Sequence, residues 1–155
     1  MIDGYTIRRA AAADLGTLVE HRRAMFYDMG HTDVEALDRM SSAFEIWLLR
    51  KMEASEYLAW VAESRDGSVA GGLGMWLMDW LPHLIGPGAP RANIVNVYTR
   101  PADRRRGIAR ALMTTAVEWC RDKGIRAVVL HASEHGRPLY VSLGFQPTNE
   151  MRLLL

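Results

Sequence analysis

Four arginines crowd one short stretch of the 155-residue chain: Arg104, Arg105, Arg106 and Arg110, interrupted by Gly107 and Ala109. A guanidinium carries fixed charge and a planar fork of donors, and both match the oxygens of a phosphate better than an ammonium does. The stretch follows a short apolar strand, Ile94 to Thr99, and the dipeptide Arg100-Pro101, and it leads into a helix that begins at Gly107. Amides at a helix N-terminus lack intrahelical acceptors and carry the positive end of the macrodipole, so an anion placed there meets several donors together. Gly107 lets the backbone approach such an anion with no Cβ in the way, and Ala109 is nearly as permissive. Residues 100–110 hold five arginines against Asp103 alone, whereas the whole chain carries a net charge of only +1. That contrast predicts a small polyanion held at one place, and it disfavours a nucleic-acid surface, because the cluster is compact and has no interleaved aromatics.

The elements that must position this turn read as an alternation of strands and helices. Tyr5 to Arg8 is a first strand. A helix follows from Asp14, a candidate N-cap, to about Asp28 or Met29, with Gly30 as its stop. Val34 to Ala54 forms a second helix, with Leu37, Met40, Phe44, Trp47 and Leu48 along one side. Tyr57 to Glu63 and Ser68 to Met78 make a hairpin around Arg65-Asp66-Gly67. Gly71, Gly72 and Gly74 lie inside its second strand and predict a bulge or a close backbone approach; their spacing is not that of a dinucleotide fingerprint. After the arginine turn, the helix from Gly107 carries a wide apolar stripe and ends at Lys123-Gly124. Ile125 to His131 is a continuous apolar run, expected to be a strand buried on both faces and parallel to the one before. Ser133 to Gly144 holds a short helix, and Phe145 to Pro147 and Glu150 to Leu155 read as closing strands.

The second constellation is Gly136-Arg137-Pro138-Leu139-Tyr140-x-x-x-Gly144-Phe145. Together with Arg104-x-x-Gly107-x-Ala109 it resembles the two best-known segments of the GNAT superfamily of N-acetyltransferases. Ser133 and Gly136 stand where that pattern has asparagine and alanine, while Leu139, Tyr140, Gly144 and Phe145 match it. The resemblance implies a single α/β domain over 1–155, with a mixed, mostly antiparallel sheet, a splayed central parallel pair and helices on both faces. It implies acetyl-CoA, or another acyl-CoA, lying in the splay. Val97, Tyr98 and Thr99 would pair with the pantetheine arm, Arg104, Arg105, Arg106, Gly107, Ile108, Ala109 and Arg110 would hold the phosphates, and Ser133 would complete the cofactor set. Tyr140 resembles the family's general acid, and a backbone N–H near Val97 to Tyr98 is the expected oxyanion donor.

Acyl transfer needs a neutral amine, a donor for the tetrahedral oxyanion and a proton for the departing thiolate. Many relatives carry a glutamate where this chain has Asn93, so His131, Glu63, Glu20, Asp28, a water oriented by Asn93 or direct proton loss to solvent all stand as routes for the amine's proton. Phe26, Asp28, Met29, Trp80 and Asn93 are the candidate acceptor residues, the apolar members suiting an acceptor that is itself partly apolar. A non-catalytic CoA-binding sensor is the competing reading. One cysteine, Cys120, excludes an internal disulfide and a multi-cysteine metal site, and its place on an apolar helix face predicts a buried thiol. No apolar run approaches membrane-spanning length, so no membrane partner and a cytoplasmic location are expected. A homodimer using the apolar C-terminus, Met151 to Leu155, is the expected assembly if there is one.

Overall fold

The computed structural model describes residues 2–155. Its sheet has five strands in the order in which they occur: β1 (Tyr5–Arg9), β2 (Tyr57–Ser64), β3 (Val69–Met78), β4 (Arg91–Thr99) and β5 (Val128–Leu130). The first three pairings are antiparallel and the last, β4 with β5, is parallel. Helices α1 (Leu15–Asp28) and α2 (Val34–Glu53) connect β1 to β2, α3 (Ile108–Asp122) makes the parallel crossover, and α4 (Arg137–Ser142) follows β5.

Strand β2 explains how the layers are built. Leu58, Trp60 and Ala62 point to one face and pack with Leu112, Met113 and Cys120 of α3, while Tyr57, Ala59 and Val61 point to the other and pack with Leu18 of α1 and Leu48 of α2. A strand covered on both faces has no use for polar alternation, which is why YLAWVA reads as an unbroken apolar run. Leu48 and Val61 have no exposed surface, and each such side chain contributes roughly 2 kcal/mol by leaving water. Cys120 lies in the α3 layer with its sulfur 3.4 Å from that of Met75, and burial pushes the thiol up to about 11.

Several boundaries differ from the sequence reading. Asp14 does not cap α1 through its side chain; its carboxylate accepts from the Ala11 N–H at 2.7 Å and pairs with Arg8 at 2.8 Å, so it closes the 3-10 turn Ala12–Asp14 and ties it to β1. Asp33 does cap α2, accepting from the Ala36 N–H at 3.1 Å. Strand β4 begins three residues before Ile94, at Arg91. Strand β5 is only three residues long and half-buried, not a strand enclosed on both faces. The reason lies downstream: residues 145–155 add no strand beyond it, and Met151, Leu153, Leu154 and Leu155 stay exposed.

Candidate functional site

The arginine turn is built where β4 ends. Pro101 opens a 3-10 turn, Pro101–Asp103, and Asp103 is buried beneath it. The Tyr5 hydroxyl donates to Asp103 Oδ1 at 2.6 Å and Arg100 Nε donates to Oδ2 at 2.6 Å, and these two bonds hold the carboxyl below the usual range. Arg106 Nη1 in turn donates to the Tyr5 hydroxyl at 3.2 Å. The first strand of the chain therefore fixes the base of the turn.

Arg105 and Gly107 both lie in the left-handed region, at φ 62° and 82°, with Arg106 between them at negative φ. Alternation of this kind turns successive amides toward one concave side. The first α3 amide to find a helical acceptor is that of Ala111, bonded to the Gly107 carbonyl, so those of Ile108, Ala109 and Arg110 have no intrahelical partner. Nothing lies within 4 Å of a Cβ added at Gly107, so the glycine serves the backbone angle and open access rather than packing. Residues 104–107 are exposed, and Arg104 is the most engaged of them: Nε donates to the Thr99 carbonyl at 3.0 Å and Nη2 to Asp28 at 2.6 Å. Arg110 reaches Ser142 at 2.8 Å, linking α3 to α4.

Upstream of the turn the sheet opens. Parallel pairing runs from Ala92 opposite Val128 to Ile94 opposite Leu130 and stops, while β4 continues to Thr99 with no β5 partner. On the β3 side, Gly72 faces Tyr98 and Gly74 faces Val95, so Asn96 and Val97 stand against the single residue Leu73. That is a β-bulge, and Asn96 adopts φ 56° within it. The gap leaves the β5-facing side of Val97, Tyr98 and Thr99 free for an extended ligand arm.

Tyr140 on α4 packs edge-on to Phe145, with ring centroids 6.1 Å apart, and burial raises its phenol, so it stays protonated at neutral pH. Ser133 Oγ accepts from the Gly136 N–H at 3.1 Å. A Cβ at Gly136 would come within 2.9 Å of the Tyr140 ring, which gives a steric reason for glycine at the position where the resemblance expects alanine.

The opposite wall of the gap, under α1 and α2, holds residues the sequence reading did not single out. Arg22 Nη1 donates to Asn96 Oδ1 at 2.7 Å, and Asn96 Nδ2 donates to the Tyr57 hydroxyl at 3.2 Å. Burial pushes the Tyr57 phenol up to about 12. His21 lies beside Tyr98, ring centroids 5.0 Å apart, with Nδ1 buried and unpartnered, and burial pushes it down to about 4. Two of the three strand glycines make this packing possible, a close approach of the kind their position predicted: a Cβ at Gly74 would fall 1.7 Å from the Tyr57 oxygen, and one at Gly72 would fall 2.9 Å from His21 Nδ1, while one at Gly71 would fall 2.6 Å from the Tyr98 carbonyl oxygen.

The five expected acceptor residues are divided by the fold. Phe26 sits against Arg22 and meets the His31 ring at a tilt, with centroids 5.5 Å apart. Asp28 is engaged by Arg104 at the arginine turn, and Met29 is exposed beside it in sequence. Trp80 stacks on His83 with centroids 4.7 Å apart. Asn93 directs Nδ2 to the Met78 sulfur at 3.8 Å and leaves Oδ1 buried without a partner. Among the carboxylates and imidazoles considered as bases, Glu63 is held by Arg8 at 2.6 Å and His131 lies 3.4 Å from Glu150, while Glu20 is exposed.

Comparison with known proteins agrees with this geometry. The family model described as Acetyltransferase (GNAT) family matches residues 17–145. A GCN5-related N-acetyltransferase from Ralstonia eutropha has a crystal structure that superposes with a TM-score of 0.91 at 37% identity, covering 98% of this chain and 99% of that one. A protein from Clostridium acetobutylicum classed as an acetyltransferase, solved with acetyl-CoA, superposes with a TM-score of 0.85 at 25% identity over 97% of this chain and 96% of that one. Among curated proteins, one from Bacillus subtilis provisionally named a ribosomal protein bS18 alanine N-acetyltransferase is 25% identical over 81% of this chain and 80% of its own length. With strand, bulge, arginine turn and helix in this order, the chain belongs to the GNAT acetyltransferase family and is an acyl-CoA-dependent N-acetyltransferase that takes acetyl from acetyl-CoA.

Proposed function

We propose that this enzyme, as one domain over residues 1–155, passes acetyl directly to the amine of a small molecule or peptide within a ternary complex. The observation that carries the reading is that β4 outruns its parallel partner at Ile94 and continues, through the Asn96 bulge, into the amide-rich turn at 104–107. In this reading the pantetheine arm pairs with Val97, Tyr98 and Thr99. The pyrophosphate takes the free amides of Arg105 to Arg110, with Arg104 and Ser133 at the edges of the same site. The amine nitrogen attacks the thioester carbonyl, the oxyanion is met by a backbone N–H of the bulge, the C–S bond breaks, and the thiolate takes the Tyr140 proton. The amine's own proton leaves to water, for which the unpartnered Asn93 Oδ1 is a suitable anchor.

Phe26, Met29 and Trp80 form the apolar side of the acceptor site in this proposal, with Asp28 at its rim. A lone reduced cysteine and the use of acetyl-CoA suit a cytoplasmic enzyme. The unpaired outer edge of β5 and the exposed Met151, Leu153, Leu154 and Leu155 suit a homodimer. Calorimetric titration of acetyl-CoA and CoA into the parent protein, Arg106→Glu and Gly107→Trp tests the cofactor site. Micromolar binding by the parent, lost in both variants, is the expected result; binding unchanged in either variant overturns the placement of the pyrophosphate.

A further inference from the structure

Arg22 presents an electrostatic problem that the fold alone does not solve. Burial lowers its pKa, a sign that the guanidinium has lost much of its hydration. Among the described residues it forms no ion pair, and the single titratable group acting on it is the Tyr57 phenol, which is neutral at physiological pH. Its guanidinium lies over the rings of Phe26 and Phe44, at 4.9 and 5.1 Å, and Nη1 is taken by the neutral Asn96 side chain. Nε is shielded from water and has no partner. A charge withdrawn from water without a counterion is costly, and removing water from around a guanidinium makes it a stronger receptor for an anion that does arrive. Three other arginines near the gap are otherwise placed, Arg104 on Asp28, Arg100 on Asp103 and Arg106 on Tyr5, while Arg91 at the start of β4 reaches the Met78 sulfur and lies over Trp80, away from the bulge.

The location of this unpaired cation is informative. Its partner Asn96 is the bulge residue at which β4 leaves β5, where the proposed chemistry occurs. Phe26, half-buried and lying against the guanidinium, also lines a cavity of about 220 Å3 between α1 and α2, apolar on the side of Ala36, Leu37 and Met40 and polar at the connecting loop, where Thr32 and Asp33 stand. We propose that the acceptor is an α-amino acid with an apolar side chain: its carboxylate docks on the Nη1 and Nη2 end of Arg22, its amine faces the bulge, and its side chain enters the α1–α2 cavity. An α-amine and an α-carboxylate sit on one carbon, so a carboxylate held beside Asn96 brings its own amine to the same place. A carboxylate accepts two parallel N–H bonds from such an end, and a primary amide in its place offers one oxygen and no charge. The inference rests on the proposed acceptor face.

The test uses product mimics on the full chain in the presence of saturating CoA. N-acetyl derivatives of alanine, leucine, methionine and phenylalanine are titrated by ligand-observed NMR against the corresponding N-acetyl amides. The expected result is a Kd at least tenfold lower for the carboxylate of the leucine, methionine or phenylalanine pair, with alanine the weakest. Arg22→Met, checked for fold by thermal melting and acetyl-CoA binding, should bring the two members of each pair within about twofold. If that variant does not fold, Arg22→Lys serves, and should reduce the preference several-fold because an ammonium cannot replace the planar fork. Equal binding of carboxylate and amide by the parent protein overturns the proposal and favours a peptide N-terminus, and so does no binding of either. A preference that survives Arg22→Met also overturns it. Acetyl-CoA binding in the same samples separates any of these failures from a failure of the acetyltransferase reading itself.

Discussion

The two walls of the β4–β5 gap are made in opposite ways. The arginine turn is contiguous, exposed and over-supplied with charge, and its donors come from backbone amides and arginines within seven residues, 104–110. The wall beneath α1 and α2 is assembled from Arg22, Tyr57, Gly74 and Asn96, four residues on four elements, and it is buried, close-packed and nearly free of counterions. A site for a polyanion can tolerate water and rely on many weak contacts. A site that must recognise one amine gains from dry surroundings, where each polar contact is worth more. It follows that the first wall should fail by charge and the second by volume.

Gly74→Ala should show the greatest loss, because the new Cβ would lie 1.7 Å from the Tyr57 oxygen and must displace the ring or the strand. A cost on the order of 3 kcal/mol is expected in urea unfolding. Little loss there would mean that the wall is looser than its distances indicate. His21 should disclose the same wall through pH. Its folded pKa of about 4 lies below the ordinary 6.5, so the unfolded chain binds the extra proton first, and roughly 3 kcal/mol of stability should be lost as pH falls from 6.5 to 4. His21→Leu should flatten that window, as read by melting temperature against pH.

Tyr140→Phe, across the gap, should lower kcat by about 100-fold with acetyl-CoA affinity retained, since only the donated proton is removed. Parent-like kcat in that variant would take the tyrosine out of the chemistry. The smallest effect expected is that of Asp103→Asn, which weakens the bonds to Tyr5 and Arg100 beneath the turn. About 1 kcal/mol in stability and a few-fold loss of CoA affinity should be measurable by calorimetry, with the acceptor wall untouched.

The contrast also explains what could be read before folding. The arginine turn and the Leu139-Tyr140 segment are local, so their residue order alone pointed to the acetyltransferase family. Gly71, Gly72 and Gly74 disclosed that something approaches β3 closely, but nothing local names Tyr57, His21 and the Tyr98 carbonyl as what approaches. Arg22 carried no local signal, because its significance depends on an asparagine 74 residues away. Ile125 to His131 looks like an enclosed strand because it is apolar, yet burial is a property of neighbours, and no strand from 145–155 lies beyond β5. Asp14 has the composition of a helix cap, but Arg8 and the Ala11 amide hold its carboxylate instead.

The bond from Tyr5 to Asp103 spans 98 residues of sequence and lies directly under the arginine turn. One result is practical: disturbing β1 removes the Tyr5 hydroxyl that holds Asp103 and so loosens the arginine turn from beneath. Another concerns synthesis on the ribosome, since the turn cannot take its final seat until β1 has joined the sheet. Strand β1 waits through two helices and three strands before the loop it secures has even been made.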